Sequence, residues 1–309
     1  MKKRRLILAG SLTILSICIS NILIPQMRQG SLTGFRDYLM ETDLEPYMNL
    51  LPLDSNVDEE SQDFTDKHDE LPEHFTYYYD TLPENEQLTY VEIYVILRDH
   101  KDFTRISTVD EDEVARIYQY IILDNPELYY VGTLQIESTK AKGNTLYIKV
   151  RANEIMTEEE QTKAKEKIDK FTSDFLEEVD LSWGNRKKAR KAFEYIDEHA
   201  TYVKGASYNQ SMYSIVLGNS VCMGYTAAFK YLCDIMDVPC ISLTGMLGST
   251  NHAWNMIKCK KEWYYSDCTQ GDDLVSEPER VDYKWFCIPK EELYKTHTVD
   301  NEELLPVAN

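Results

Sequence analysis

Three side chains in this sequence carry the chemistry of covalent acyl transfer: the thiol of Cys222, the imidazole of His252 and the carboxylate of Asp267. Cys222 lies in Gly218-Asn219-Ser220-Val221-Cys222-Met223-Gly224-Tyr225. An apolar helical pattern follows through Phe229, Leu232, Cys233, Ile235 and Met236, and it stops before Pro239. Ser220 is the expected N-cap, which sets Cys222 in the first helical turn. A helix N-terminus carries about half a positive charge and N–H groups without intrahelical acceptors. Both favour a thiolate, and the same N–H groups can bind an oxyanion. Gly224 is expected to let a substrate approach the backbone. This segment alone fits a buried cysteine that merely begins a helix equally well.

The other two groups narrow the choice. Asn251–Ile257 and Trp263–Asp267 read as antiparallel strands joined by a short charged loop around Cys259-Lys260-Lys261-Glu262. Alternation puts His252, Trp254 and Met256 on one face. A two- or four-residue loop sets Asp267 opposite Trp254, diagonal to His252 and within reach of it; a three-residue loop turns Asp267 to the other face. In that register His252 serves as general base and then acid, and Asp267 fixes its tautomer and stabilises its charged form.

These residues need elements to hold them, and the chain has room for them in 309 residues, 43% of them hydrophobic. Residues 1–24 open with Lys2, Lys3, Arg4 and Arg5 and continue in an apolar run, as in a signal peptide or membrane anchor. The expectation is an exported chain, anchored on the extracellular face or secreted, that meets the membrane through this segment only. Residues 25–72 form an acidic, flexible tether. Residues 73–180 form a smaller α+β lobe, with a helix from Pro83-Glu84, another capped by Asp110, strands at Leu128–Val131, Leu134–Ser138 and Leu146–Arg151, and a capping box at Thr157 and Glu160. Tyr77, Tyr78 and Tyr79 are expected to cover the core at a domain junction. Residues 181–298 carry the chemistry, with a short closing helix at Pro289–His297, and 299–309 form a disordered tail. The formal net charge of −20 argues against nucleic acid as a partner. Seven cysteines without a C-x-x-C pair are expected to be mostly free, buried thiols.

The order Ser220-Val221-Cys222-Met223-Gly224-Tyr225, Asn251-His252-Ala253-Trp254-Asn255 and Trp263-Tyr264-Tyr265-Ser266-Asp267-Cys268-Thr269 resembles the transglutaminase-like superfamily, a branch of the papain-like thiol enzymes. The resemblance covers about residues 185–290. It implies an α+β fold with the nucleophile helix packed on an antiparallel sheet, preceded by the smaller α+β lobe and the N-terminal apolar helix. It also implies acyl transfer through a thioester to an amine or to water, on a protein or peptide substrate such as a cell-wall peptide. No metal or cofactor is implied, and the sequence holds no D-x-D-x-D-G calcium loop. The papain-type oxyanion glutamine is missing: Val216 stands six residues before the cysteine. Either the backbone N–H groups serve alone, or a side chain from 205–213 such as Tyr208, Asn209 or Gln210 supplies that donor, with Gly224 and Trp254 as further substrate contacts. A second reading keeps the fold for non-catalytic surface binding or cell-wall assembly.

Overall fold

In the computed structural model the described residues are 70–141, 143–205, 207–272 and 281–309. The chain's first helices are set by local chemistry. Helix α1 (Tyr77–Thr81) is short, and its first N–H groups are met by a buried carboxylate, Asp124, which accepts from Tyr78 N and Tyr79 N at 3.2 Å each. Helix α2 (Glu84–Arg98) starts after Pro83, and α3 (Glu111–Asp124) is capped by Asp110, whose side chain accepts from Asp112 N and Glu113 N. Between them lies the three-residue strand β1 (Thr104–Ile106). Strands β2 (Val131–Ala141) and β3 (Asn144–Glu154) form a long hairpin, giving an antiparallel sheet in the order β1-β3-β2. Leu128–Tyr130 is a turn rather than the expected strand, which begins only at Val131. Asn125 and Pro126 end α3, and the backbone closes Leu128 N to Asn125 O and Val131 N to Leu128 O. Helix α4 (Glu158–Glu177) opens on the capping box of Thr157 and Glu160.

The second half builds one layer of helices on one sheet. Helix α5 (Asn185–His199) leads into β4 (Thr201–Tyr202), which pairs in parallel with β5 (Asn219–Ser220). A single helical turn, α6 (Tyr213–Val216), lies between them, so the segment expected to be a plain loop is partly ordered into elements. Helix α7 (Cys222–Asp234) packs on the antiparallel sheet β8-β7-β6-β9. Its strands are β6 (Cys240–Leu247), β7 (Thr250–Cys259), β8 (Glu262–Ser266) and β9 (His297–Val299). Two further one-turn helices, α8 (Cys268–Gly271) and α9 (Lys290–Leu293), bracket the passage from β8 to β9.

All described residues belong to one compact unit, so 73–180 and 181–298 share a core instead of standing as separate domains. Tyr78 shows how. It is buried, its ring stacks on Tyr120 of α3 at 4.7 Å, and its hydroxyl donates to Ser242 O of β6 at 2.8 Å. From the other side the fully buried Lys230 of α7 donates to Phe75 O at 2.8 Å and pairs with Asp234 at 2.7 Å. The tail expected to be disordered is docked as well. Asp300 N reaches Thr244 O, Tyr77 donates its hydroxyl to Leu304 O, and Asn309 N reaches Trp263 O. The expected anchor at 1–24 lies outside the described residues, as does the tether apart from residues 70–72. Among the described residues no helix is long and apolar enough to cross a membrane.

Candidate active site

Cys222 is the first residue of α7. Of the six described cysteines it is the one that is half-exposed; Cys233, Cys240, Cys259, Cys268 and Cys287 are buried thiols. The N-cap is Val221, in extended conformation and with no capping side chain. Ser220 does not cap the helix, because β4–β5 pairing turns its hydroxyl inward. There Ser220 Oγ lies 2.5 Å from Ser214 Oγ and donates to Asn209 O at 3.2 Å. Gly224 serves the same packing. A Cβ there would stand 2.0 Å from Ser220 Oγ, 2.5 Å from Ser214 Oγ and 3.0 Å from Asn209 O. The space its missing side chain leaves is thus filled by the protein, which removes the reason for placing a substrate over it. The first N–H groups of α7, at Cys222 and Met223, have no acceptor within the helix.

The sheet brings the other two groups to this helix end. Strands β7 and β8 are joined through Lys260 and Lys261, with Lys260 in the left-handed region, and pair Asn255 with Ser266, Met256 with Tyr265 and Ile257 with Tyr264. Asp267 follows immediately, in the register that sets it diagonal to His252. His252 Nε2 donates to Asp267 Oδ2 at 2.8 Å. Nδ1 is then the nitrogen left for Cys222, with which the imidazole also interacts. Helix and strand are locked in this alignment by Asn255. Fully buried, it donates through Nδ2 to Thr226 O at 3.1 Å, and Thr226 in turn donates to Cys222 O at 2.9 Å. The sequence motif contains Asn255, but only the packing shows its purpose.

Charge at the site follows from these contacts. Burial works against the His252 imidazolium, but the hydrogen bonds to Asp267 and then to Cys222, with the charges of both, push its pKa up to about 9. Burial likewise works against the Asp267 carboxylate, yet the donors around it hold its pKa below the usual carboxylate value. Those donors are His252, His297 and Gln270 N, the last reaching Oδ1 at 3.0 Å. His297 Nε2 lies 3.2 Å from the same Oδ2 that His252 uses. Sequence reading passed over His297 because it stands thirty residues beyond Asp267, in a strand of three residues.

The remaining candidates part ways. Trp254 is 1% exposed, with its ring 5.8 Å from that of His252 and 4.9 Å from that of His297. It is a floor under the two imidazoles and cannot touch a substrate. Tyr208 is half-buried, packs on Tyr213 and turns its hydroxyl toward Glu160 Oε1 at 3.5 Å. Gln210 is exposed, and among the described contacts none joins it to Cys222. Another group near this helix start is Tyr202 of β4, paired with Ser220, whose phenol pKa is raised by burial and by the charge of Cys222. A two-residue strand gives no periodic signal that would have marked it. One possible ligand atom from each of His252, Asp267 and His297 also lies within 4.8 Å of the others, close enough to ligate a metal ion.

No protein-family model matches the chain, and no curated protein matches it. Among solved structures it is similar to a transglutaminase (TGase), at 14% identity and a TM-score of 0.33, over 53% of this chain and 50% of that one. It is also similar to a protein from Cytophaga hutchinsonii provisionally described as a cysteine protease, at 14% identity and a TM-score of 0.29, over 48% of this chain and 65% of that one. The chain therefore spans less than two thirds of the length of either neighbour.

Proposed function

We propose that this chain is a transglutaminase-like cysteine enzyme that transfers the acyl group of a protein or peptide amide through a thioester on Cys222. The observation that carries this reading is the line of three groups: a half-exposed thiol at a helix start, an imidazole interacting with it, and a buried ionised carboxylate on the far imidazole nitrogen. In the first step the Cys222 thiolate attacks the amide carbonyl carbon. The new oxyanion is held by the Cys222 and Met223 N–H groups at the start of α7. Collapse breaks the C–N bond, and the His252 imidazolium gives its proton to the departing amine. Water or a second amine then attacks the thioester. His252 takes its proton, the C–S bond breaks, and the thiolate–imidazolium pair is restored. Asp267 stays ionised throughout and fixes the Nε2–H tautomer.

Export is part of the reading and rests on the basic, then apolar, N-terminal sequence. A cell-wall peptide is one substrate in reach of such a location. The test is parallel assay of a fluorogenic peptide library for hydrolysis and of a glutamine donor with a labelled primary amine. Turnover that disappears in Cys222→Ala supports the reading and names the acceptor. Equal signal from Cys222→Ala, or none with a native chain whose Cys222 is unreactive, removes it in favour of a binding module.

A further inference from the structure

We infer that His297 is a positioning residue for the carboxylate of Asp267, acting as a second imidazole donor that holds Oδ2 toward His252. The inference rests on the proposed triad and extends it. His297 is 1% exposed, and every polar atom of its ring has a partner. Nε2 lies 3.2 Å from Asp267 Oδ2, and Thr296 Oγ1 lies 2.9 Å from Nδ1. With a carboxylate on one side and a hydroxyl able to donate on the other, the tautomer that satisfies both carries its proton on Nε2. The ring is clamped edge-on by Trp254 at 4.9 Å and Trp285 at 5.6 Å.

The backbone is shaped to deliver this ring. Strand β9 adds to the free side of β6, pairing Leu247 with His297, Met246 with Thr298 and Gly245 with Val299. It can come that close because position 245 is glycine. A Cβ there would stand 2.0 Å from Thr298 O and 2.8 Å from the Trp254 ring. The outcome is a carboxylate with donors on both oxygens: two imidazole N–H donors on Oδ2 and the Gln270 N–H on Oδ1. An Oδ2 left with His252 as its one donor holds the carboxylate less firmly and leaves it easier to protonate, and either change costs His252 its orientation. The titratable groups facing Asp267 are His252 from β7, His297 from β9 and Cys268 from α8, with Cys222 of α7 beyond His252. The separations of 2.8 and 3.2 Å are hydrogen-bond lengths, so these three residues are engaged with one another.

The experiment compares His297→Phe and His297→Gln in the full chain, reading iodoacetamide labelling of Cys222 against pH and the thermal midpoint. Phe keeps a ring between the two tryptophans and removes the donor; Gln restores an N–H close to the Nε2 position. We expect the Phe variant to label about tenfold more slowly at pH 6, with its acid limb moved up by about one pH unit as Asp267 becomes easier to protonate. Gln should recover most of both. Three results overturn the inference: Phe labelling with the native profile; Gln and Phe losing reactivity equally in step with their thermal midpoints; or loss of Cys222 reactivity on dialysis against EDTA, which would make the cluster a metal site. If native Cys222 itself labels no faster than an ordinary thiol below pH 7, the triad reading fails and His297 has no reactive pair to support. A reactive native chain with an unaffected Phe variant sinks the role of His297 alone.

Discussion

Asp267→Asn isolates what the buried charge contributes, because the side chain keeps its size and loses its charge. In the native chain the His252 pKa stands at about 9 against an ordinary 6.5. A rise of that size corresponds to about 3 kcal/mol of preference for the imidazolium. Burial alone would push the value the other way, and the hydrogen bond to Asp267 is the largest cause opposing it. Without the carboxylate charge the value should return to about 6.5 or lower. The thiolate then loses its cationic partner above that pH. Two readouts follow. Iodoacetamide labelling of Cys222 at pH 7 should slow by about one to two orders of magnitude as the imidazolium beside it is lost, and kcat should drop by about 10³- to 10⁴-fold. Stability carries the same sign. A group whose folded pKa is the higher contributes fully below its unfolded value and loses that contribution as pH rises through the folded one. Asp267→Asn should therefore cost more stability at pH 6 than at pH 10, as read by urea unfolding at the two values. Native-like labelling at pH 7, or a stability loss that is the same at both pH values, would refute the coupling of Asp267 to His252.

Three further outcomes are expected. In the folded chain iodoacetamide should modify Cys222 ahead of Cys233, Cys240, Cys259, Cys268 and Cys287, which are all buried; peptide mapping that finds any of them faster contradicts the packing. Gly224→Ala forces a methyl into the Ser214–Ser220 contact and should cost about 1–3 kcal/mol, lowering the thermal midpoint by several degrees and Cys222 reactivity with it. Lys230→Met strands the buried Asp234 and should cost about 3–5 kcal/mol, most of it recovered in Lys230→Met/Asp234→Leu, as a thermal double-mutant cycle would show.

What could be read in advance divides along physical lines. The His252–Asp267 geometry was open to inference because two adjacent strands and a two-residue turn leave a single register, and the register alone fixes which faces meet. Helix starts at Asp110 and Thr157 were likewise local: a side-chain oxygen and the N–H groups two or three residues ahead. Ser220 looks the same in sequence, yet it is claimed by β5, and a residue whose backbone is already committed to a strand has its hydroxyl aimed elsewhere. Gly224 failed in a related way. Its freedom is spent on close contact within the protein, which sequence cannot tell from clearance for a ligand.

His297 and Tyr202 were out of reach for a different reason. Each comes from a strand of two or three residues, too short for alternation to register, and each meets the site through pairing with a strand distant in the chain. The C-terminal segment reads as a polar tail because its contacts are spread singly over β6, β8 and the lobe at α1, with no apolar stripe of its own. Yet that segment delivers the second imidazole on Asp267, and Gly245 is the residue that lets it approach. The thiol and the imidazole beside it are thus encoded in motifs, whereas the second donor on the carboxylate behind them is encoded in topology. A motif search recovers the first and passes over the second, so chains of this kind should be compared by what occupies the far side of the carboxylate as well as by the triad itself.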